Sequence, residues 1–323
     1  MKEKEIRPKK IFDKFLKLSK ADIKKYFKKK RKKIKCIACN RNGKFSFKKN
    51  NFSYFLCKNC KTLFVNPRPV ESEFVNYYTK SSSLKSLAKL YEKTQSLRKK
   101  RIWQPKAEII ATKLKKNKLS NYSYVDIGGG YGFFAEEIAK YTKKTTTVIE
   151  PSPFMAEACK KKKLNVIQKF LESVKKNDLP KNKKCFTSFE LIEHLHSPSK
   201  FVSSLWKLMN RQDLFIFTTL SSTGLDILTL WNKSRSITPP YHINFFNPKS
   251  ISIFLKKYKF KVLEVSTPGK IDINILENDK HLIKDKFWKS FIKKASKYEK
   301  NKMQKLISSS NLSSHMMVIC KKN

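Results

Sequence analysis

Glycine is scarce in this chain, with 7 residues in 323, and three of them stand side by side at Gly128, Gly129 and Gly130. Arginine is scarcer than the charge suggests: Lys+Arg is 73 against 25 Asp+Glu, yet only eight are Arg (7, 31, 41, 68, 98, 101, 211, 235). Readers of nucleic acid lean on arginine for bidentate contacts, so a formal charge of +48 carried mostly by lysine weakens that reading. An AT-rich coding sequence, which favours Lys, Asn, Ile and Phe over Gly, explains the bias more simply. Long apolar runs are missing too. The stretch "LFIFTTL" is a buried strand at most, so no transmembrane segment is expected. The start, "MKEKEIRPKKIFDKF", has no apolar signal region, and a cytoplasmic location is expected.

A hydrophobic fraction of 40% over 323 residues can build a substantial core. Residues 1–35 form a basic arm with some helical periodicity (Ile11, Phe12, Phe15, Leu16), and 36–66 carry paired cysteines. Residues 67–118 read as a helical linker or lid, broken near Pro105. From 119 to 323 strands and helices alternate, which argues for a parallel sheet covered on both faces. A lysine-rich helical insertion, 279–310, precedes a last strand, "HMMVICKK".

The pairs "CIAC" (Cys36, Cys39) and "CKNC" (Cys57, Cys60) are separated by 17 residues. Two C-x2-C knuckles at this spacing suit one tetrahedral Zn²⁺, and four protein ligands make the site structural. Cys159, Cys185 and Cys320 read as small buried hydrophobes.

In "VDIGGGYGFF" the glycines fall as G-x-G-x-G at Gly128, Gly130 and Gly132, between a strand and a helix. A ligand can approach bare backbone there, beside a helix N-terminus. Phe133 occupies the place where a dinucleotide turn needs a small residue, and no G-K-[ST] follows, so NAD and ATP lose ground. Glu150 lies 20 residues after Gly130 at the end of the next strand, placed to accept from two ribose hydroxyls. Phe170 and Leu171, after the third strand, offer an apolar place for an adenine ring.

Taken in order, "VDIGGGYG", "VIEPSP" and "FTSFELIEHLHSPSKF" resemble the class I S-adenosylmethionine-dependent methyltransferases. The cysteine pairs and "PPYHINFFNPKSI" resemble the sugar C-methyltransferase-like branch with an N-terminal four-cysteine zinc ribbon. The resemblance covers about residues 36–270 and the final strand. It implies a Rossmann-like α/β fold: a seven-stranded sheet, last strand antiparallel, with a small N-terminal ribbon. It further implies that Asp126 and the glycine turn hold the methionine moiety, Glu150 the ribose, and Phe170 and Leu171 the adenine. Ser188, Phe189 and Glu190 would lie beside the sulfonium. Three departures stand out. Lys184 replaces a usual Asp, the turn before "DLFIF" lacks its usual Gly, and Lys61 replaces a Gly after the last knuckle.

Methyl transfer needs alignment and, for a hydroxyl or acidic C–H acceptor, a base. His242, with Tyr241 to orient the acceptor, is the first candidate, because its loop should face the cofactor; a purely bracing role for His242 is the alternative. His194 reads as tying its loop to the sheet, and Glu193 as contacting a ligand or the loop backbone. "TPPY" (238–241) imitates the signature of nucleobase amino-methyltransferases, but it follows the fifth strand instead of the fourth. The expected function is therefore methylation of a small-molecule acceptor such as a nucleotide- or lipid-linked sugar. RNA, gripped by the basic arm and the ribbon, is the second acceptor class. A binding protein on a decayed methyltransferase fold is the third reading. The oligomeric state is left open.

Overall fold

The structure, a computed structural model, describes residues 2–116 and 121–322. The expected junction at 118/119 lies outside the described residues. Eleven strands follow in chain order: β1 Gly43–Lys49, β2 Phe52–Cys57, β3 Leu63–Val65, β4 Ser123–Ile127, β5 Thr147–Ile149 and β6 Asn165–Ile167, then β7 Lys184–Phe189, β8 Leu214–Leu220, β9 Asn244–Phe245, β10 Phe260–Ser266 and β11 His315–Lys322.

Seven of them form one sheet in the order β10-β11-β8-β7-β4-β5-β6. The pairs β4–β5, β4–β7, β5–β6 and β7–β8 are parallel, whereas β11 runs antiparallel to both β8 and β10. The central strands β7 and β8 are buried along their whole length, as strands covered on both faces must be. Crossover helices begin where the sequence caps them. Ser152 accepts from the Met155 N–H with Pro153 in the first turn, and Asn247 exchanges bonds with Ser250. The order places β4 and β7 side by side, so their carboxyl ends make one crevice at the centre of the sheet.

The other sheet, β1-β2-β3-β9, is antiparallel. Its first three strands belong to the cysteine segment, while β9 lies in the loop that follows β8. The cysteine segment is therefore paired to the loop that carries His242 by main-chain hydrogen bonds.

The basic arm is a docked element. Its long helix, Lys9–Tyr26, packs Phe12 and Phe15 against Leu87 and Leu90 of the Ser82–Lys93 helix. Asp22 accepts the Ser83 N–H at 2.7 Å, and Glu73 accepts from the N–H groups of Lys28 and Lys29, each at 2.7 Å. The break expected near Pro105 is a π-helical turn, Lys99–Trp103, leading into the Gln104–Lys116 helix. Proline cannot donate to the preceding turn, and a wider turn absorbs the missing bond.

The departures noted in the sequence have physical counterparts. Lys184 lies beside Asp213, with Nζ 3.3 Å from the carboxylate and both side chains buried, so the buried lysine has its counter-charge. Asp213 also accepts the Lys184 N–H at 2.8 Å. Lys61 (φ 59°) and Gln212 (φ 69°) adopt the left-handed conformation that glycine accommodates without cost. Because a Cβ in that region is strained by about 1–2 kcal/mol, Lys61→Gly and Gln212→Gly should each stabilise the fold. After the larger chain entropy of glycine is subtracted, roughly 0.5–1 kcal/mol remains. Calorimetric melting checks this, and a lowered melting temperature in both variants would contradict it.

Candidate active site

The glycine turn follows β4, with Gly128, Gly130 and Gly132 all at positive φ (65°, 55° and 70°). They differ in what a side chain would meet. A Cβ at Gly132 would strike Leu164 at 2.7 Å and Cys159 at 2.9 Å, so that glycine serves packing. A Cβ at Gly130 would find nothing nearer than Met155 Sδ at 4.0 Å, leaving an open backbone face for a ligand. The Gly130 N–H donates to Glu150 Oε2 at 2.9 Å, and the Ser152 N–H donates to Oε1 at 2.9 Å. Each carboxylate oxygen has two acceptor sites, so both retain capacity for ligand hydroxyls. Burial raises the Glu150 pKa, partly countered by these two N–H donors.

Asp126, near the end of β4, is buried and accepts from Thr187 Oγ1 at 2.7 Å. Burial pushes its pKa up to about 7, with Lys106 pulling the other way. On β7, Ser188 is buried, and Phe189 packs edge-on to Phe134 with ring centroids 4.4 Å apart. Lys106 Nζ lies 4.4 Å from the Phe189 ring centroid and donates to Thr218 Oγ1 at 3.2 Å. Glu190, just past β7, has φ 53°, a conformation that side chains adopt only under constraint. It accepts from Thr218 Oγ1 and lies 3.1 Å from His315 Nε2. Burial pushes the Glu190 pKa up, but His315 and Lys106 outweigh it and hold the carboxyl below its ordinary range.

The two residues expected at the adenine face different ways. Leu171 is 4% exposed in the main core cluster with Ile149, Val174 and Leu179, whereas Phe170 is 60% exposed. The short 3-10 turn Leu171–Ser173 rolls the leucine inward, so only the phenylalanine presents an apolar face outside the core.

A cavity of about 240 Å³ lies beside the end of β7. Glu190, Glu193, His194, Tyr241 and His242 line it, whereas the glycine turn, Glu150, Phe170, Ser188 and Phe189 do not. Lys106 and Thr218 join the two groups, since both line the cavity and both serve the β7 end. Nδ1 of His242 is 2.6 Å from the Ser236 carbonyl, and Nδ1 of His194 is 2.6 Å from the Tyr241 carbonyl. A carbonyl only accepts, so each Nδ1 carries the proton and each Nε2 carries a lone pair. Burial drives both imidazoles toward the neutral form, His194 to about 4 and His242 well below its ordinary value. Glu193 accepts from Thr219 Oγ1 at 2.8 Å through Oε2, while Oε1 is buried without a partner among the described residues. One donor atom each of Glu193, His194 and His242 lies within 4.8 Å of the others. Burial, reinforced by Glu190, raises the Glu193 pKa far above the ordinary range.

Sequence reasoning missed Lys106, whose mid-helix lysine reads as a solvated face, and His315, whose strand carries no chemical signature. Asp126, Glu190 and Glu193 share the buried Lys106 as a nearby cation, and Glu190 also faces Arg98 and lies against His315. This donor set, with the open Gly130 face, fits a ligand that carries a sulfonium and an ammonium.

In the cysteine segment, Cys36 and Cys60 Sγ are 3.5 Å apart, as are Cys39 and Cys57 Sγ. All four sulfurs lie within 4.8 Å of one another. A tetrahedral zinc site with bonds of about 2.3 Å separates its sulfurs by about 3.8 Å, so the donor set fits.

The chain belongs to a methyltransferase-domain family, which matches residues 94–265, just over half of its length. It is an S-adenosylmethionine-dependent methyltransferase of class I. No curated protein matches it. Among solved structures, the plantazolicin methyltransferase BpumL in complex with a pentazolic desmethylPZN analog and SAH is 13% identical, with a TM-score of 0.50 over 77% of this chain and 94% of that one. The plantazolicin methyltransferase BamL, with a triazolic analog and SAH, is 13% identical, with a TM-score of 0.50 over 78% and 94%. A Thermotoga maritima protein described as a possible histamine N-methyltransferase is 15% identical, with a TM-score of 0.45 over 72% and 98%. At these identities the likeness is one of fold. Among the described residues, no helix is long and apolar enough to cross a membrane.

Glu150→Ala should weaken S-adenosylhomocysteine binding at least about tenfold, because it removes a charged acceptor and also frees the Gly130 N–H. Calorimetric titration measures it; unchanged affinity would remove Glu150 from the cofactor site.

Proposed function

We propose that the protein methylates a small-molecule acceptor held in the cavity beside His242, with a nucleotide- or lipid-linked sugar as the acceptor class. The observation that carries this reading is the fixed tautomer of His242. Its Nδ1–H is spent on the Ser236 carbonyl, which leaves a basic Nε2 on a residue lining the cavity. Bracing and proton abstraction thus become two ends of one ring.

When bound, S-adenosylmethionine supplies an electrophilic methyl group. Gly128, Gly130 and Gly132 would present backbone to it, with Asp126 at its methionine end and Glu150 at its ribose. Phe170 would shield the adenine, with Leu171 supporting it from the core. Ser188, Phe189 and Glu190 would flank the sulfonium. The chain's own work is then alignment and proton removal. His242 takes the acceptor proton at Nε2, and the ionised Glu190 nearby favours the imidazolium that results. Tyr241, held protonated by burial, orients the acceptor as a hydrogen-bond donor. The arm that RNA would require for its grip packs on the Ser82–Lys93 helix and lines the cavity with Phe12 and Phe15, which supports a small acceptor over RNA. Zinc held by Cys36, Cys39, Cys57 and Cys60 has a structural role in this reading, within an N-terminal ribbon of the sugar C-methyltransferase-like type.

Incubation with labelled S-adenosylmethionine and a panel of nucleotide-linked sugars, with an RNA pool in parallel, tests the acceptor class. Label transferred to RNA alone would refute it. With an acceptor in hand, His242→Ala should lower kcat about 100-fold or more while S-adenosylhomocysteine affinity stays unchanged. The pH profile has a definite sign. His242 is neutral above its lowered pKa, so activity should persist below pH of about 6.5 and fall only in more acid solution. A limb centred at or above that value would argue against His242 as the base. Chelating the zinc should slow methyl transfer more than it weakens cofactor binding, because β9 begins two residues after His242.

A further inference from the structure

Arg7, Arg98, Arg101 and Arg235 line the acceptor cavity, half of the chain's eight arginines, beside only Lys106 and Lys270 from its many lysines. In a sequence that elsewhere puts lysine wherever a positive charge will do, this is a local reversal. Arginine differs from lysine in presenting a planar fork that grips two oxygens of an anion at once.

Arg235 is already neutralised by Asp13 at 2.9 Å and Asp279 at 3.7 Å. Arg7, Arg98 and Arg101 have no carboxylate within ion-pair distance among the described residues. The acids of the cavity wall are engaged elsewhere. Glu190 serves His315 and Thr218, Glu193 serves Thr219, and Asp272 accepts from Ser313 Oγ at 2.6 Å and the Ser314 N–H at 2.8 Å. Arg98 is fixed in place: Nε donates to Thr94 Oγ1 at 3.1 Å, Nη2 donates to the Ile6 carbonyl at 3.1 Å, and the guanidinium covers the Tyr91 ring at 4.2 Å. The bond to Ile6 holds the arm so that Arg7, the next residue, reaches the same cavity. Burial, helped by the like charge of Arg7, lowers the Arg98 pKa. Three guanidiniums therefore share one cavity with none of them ion-paired; Glu190 acts on Arg98 only from beyond ion-pair distance, and Arg7 and Arg98 repel.

Resting on the reading that this cavity receives the acceptor, we infer that Arg7, Arg98 and Arg101 form its anion-binding end and that the acceptor carries a diphosphate there. Charge matching selects this group. A carboxylate would leave two of the three positive charges unbalanced, whereas a diphosphate offsets two or three and offers oxygens to several forks. The arm is then part of the acceptor site. Residues 2–26 lie outside the stretch 94–265 that matches the methyltransferase family, yet they supply Arg7, Phe12 and Phe15 to the cavity wall. Anion binding relieves the repulsion between Arg7 and Arg98 and so tightens the arm over the bound acceptor.

The test is calorimetric titration of the full chain, saturated with S-adenosylhomocysteine, at an ionic strength that screens exposed lysines. Inorganic pyrophosphate is the probe and succinate the carboxylate comparison. Arg7→Gln and Arg101→Gln are set against Lys20→Gln and Lys24→Gln, which remove the same charge from the exposed face of the arm. Pyrophosphate should bind at least tenfold more weakly to each arginine variant, the lysine variants should match the parent, and succinate should bind more weakly than pyrophosphate throughout. Equal weakening in all four variants, no binding to the parent, or succinate as tight as pyrophosphate would overturn the assignment. Uridine diphosphate and geranyl diphosphate, titrated in the same way, separate a nucleotide from a lipid as the source of the group. Loss of S-adenosylhomocysteine binding would count against the cofactor reading instead, and pyrophosphate titration without it still decides this one.

Discussion

Two strand pairs, Leu63↔Phe245 and Phe64↔Asn244, fix the loop that carries His242, and with it the proposed acceptor side. The loop that carries His242 is long, and before β9 it has only a short helix and turns of its own. Its buried backbone groups must find partners outside it. The cysteine segment provides them: the Val65 N–H donates to the Ile243 carbonyl at 3.0 Å, and Tyr54 O–H donates to the His242 carbonyl at 2.6 Å. Further along, Asn247 Nδ2 donates to the Cys60 carbonyl at 2.8 Å, beside one of the four clustered sulfurs. Arg68 closes the frame. Its guanidinium, buried among apolar groups, donates to the His196 carbonyl at 2.6 Å and to Asn244 Oδ1 at 2.7 Å, joining the exits of β7 and of the cysteine segment to β9. Burial without a carboxylate lowers its pKa to about 9, the signature of a cation retained for the shape of its donors.

This frame brings two electrically different regions together. On the sheet side, acids gathered at the carboxyl ends of β4, β5 and β7 await positive charge, and Lys106 is the one lysine buried among them. At the far end of the cavity, Arg7, Arg98 and Arg101 gather without an ion-paired acid among the described residues. Between them stand two imidazoles, held neutral by burial and fixed in one tautomer by carbonyls. A cationic methyl donor and an anionic acceptor would each be drawn to its own side. The nitrogen proposed to accept the proton lies where the two meet. Neutral imidazole is the form that such a boundary needs, since a permanent charge there would repel one ligand or the other.

Much of the sheet was legible because strand and helix each carry their own period, and β7 and β8 are apolar along their whole length. The glycine turn and Glu150 were legible for a similar reason: bare backbone and an acid at a fixed interval after it leave a mark on the sequence. Other parts leave none. A strand of two residues such as β9 has no period, so the pairing of the cysteine segment with the acceptor loop could not be read. Lys106 looks like any solvated helix lysine until Phe189 and Thr218 close over it. Leu171 and Phe170 differ only by one step of a 3-10 turn, yet that step sends one side chain into the core and the other out.

Composition bias, which obscures the surface, sharpens the reading of the interior. Drift toward lysine and away from glycine proceeds wherever physics is indifferent or the cost is small. Lys61 and Gln212 hold left-handed backbone at a strain of about 1–2 kcal/mol each, because nothing approaches them closely enough to forbid a side chain. Gly130 has resisted that drift although its Cβ would meet no protein atom closer than 4.0 Å. Packing sets no constraint there beyond the left-handed backbone, which agrees with the ligand contact proposed for it. By the same logic, the cations that have remained arginine at Arg68 and around the cavity mark places where a point charge does not suffice. In the first the fork is matched by a carbonyl and an amide oxygen of the chain. In the second, for Arg7 and Arg101, no acceptor of the described chain matches it, and that is the opening the inferred diphosphate would fill.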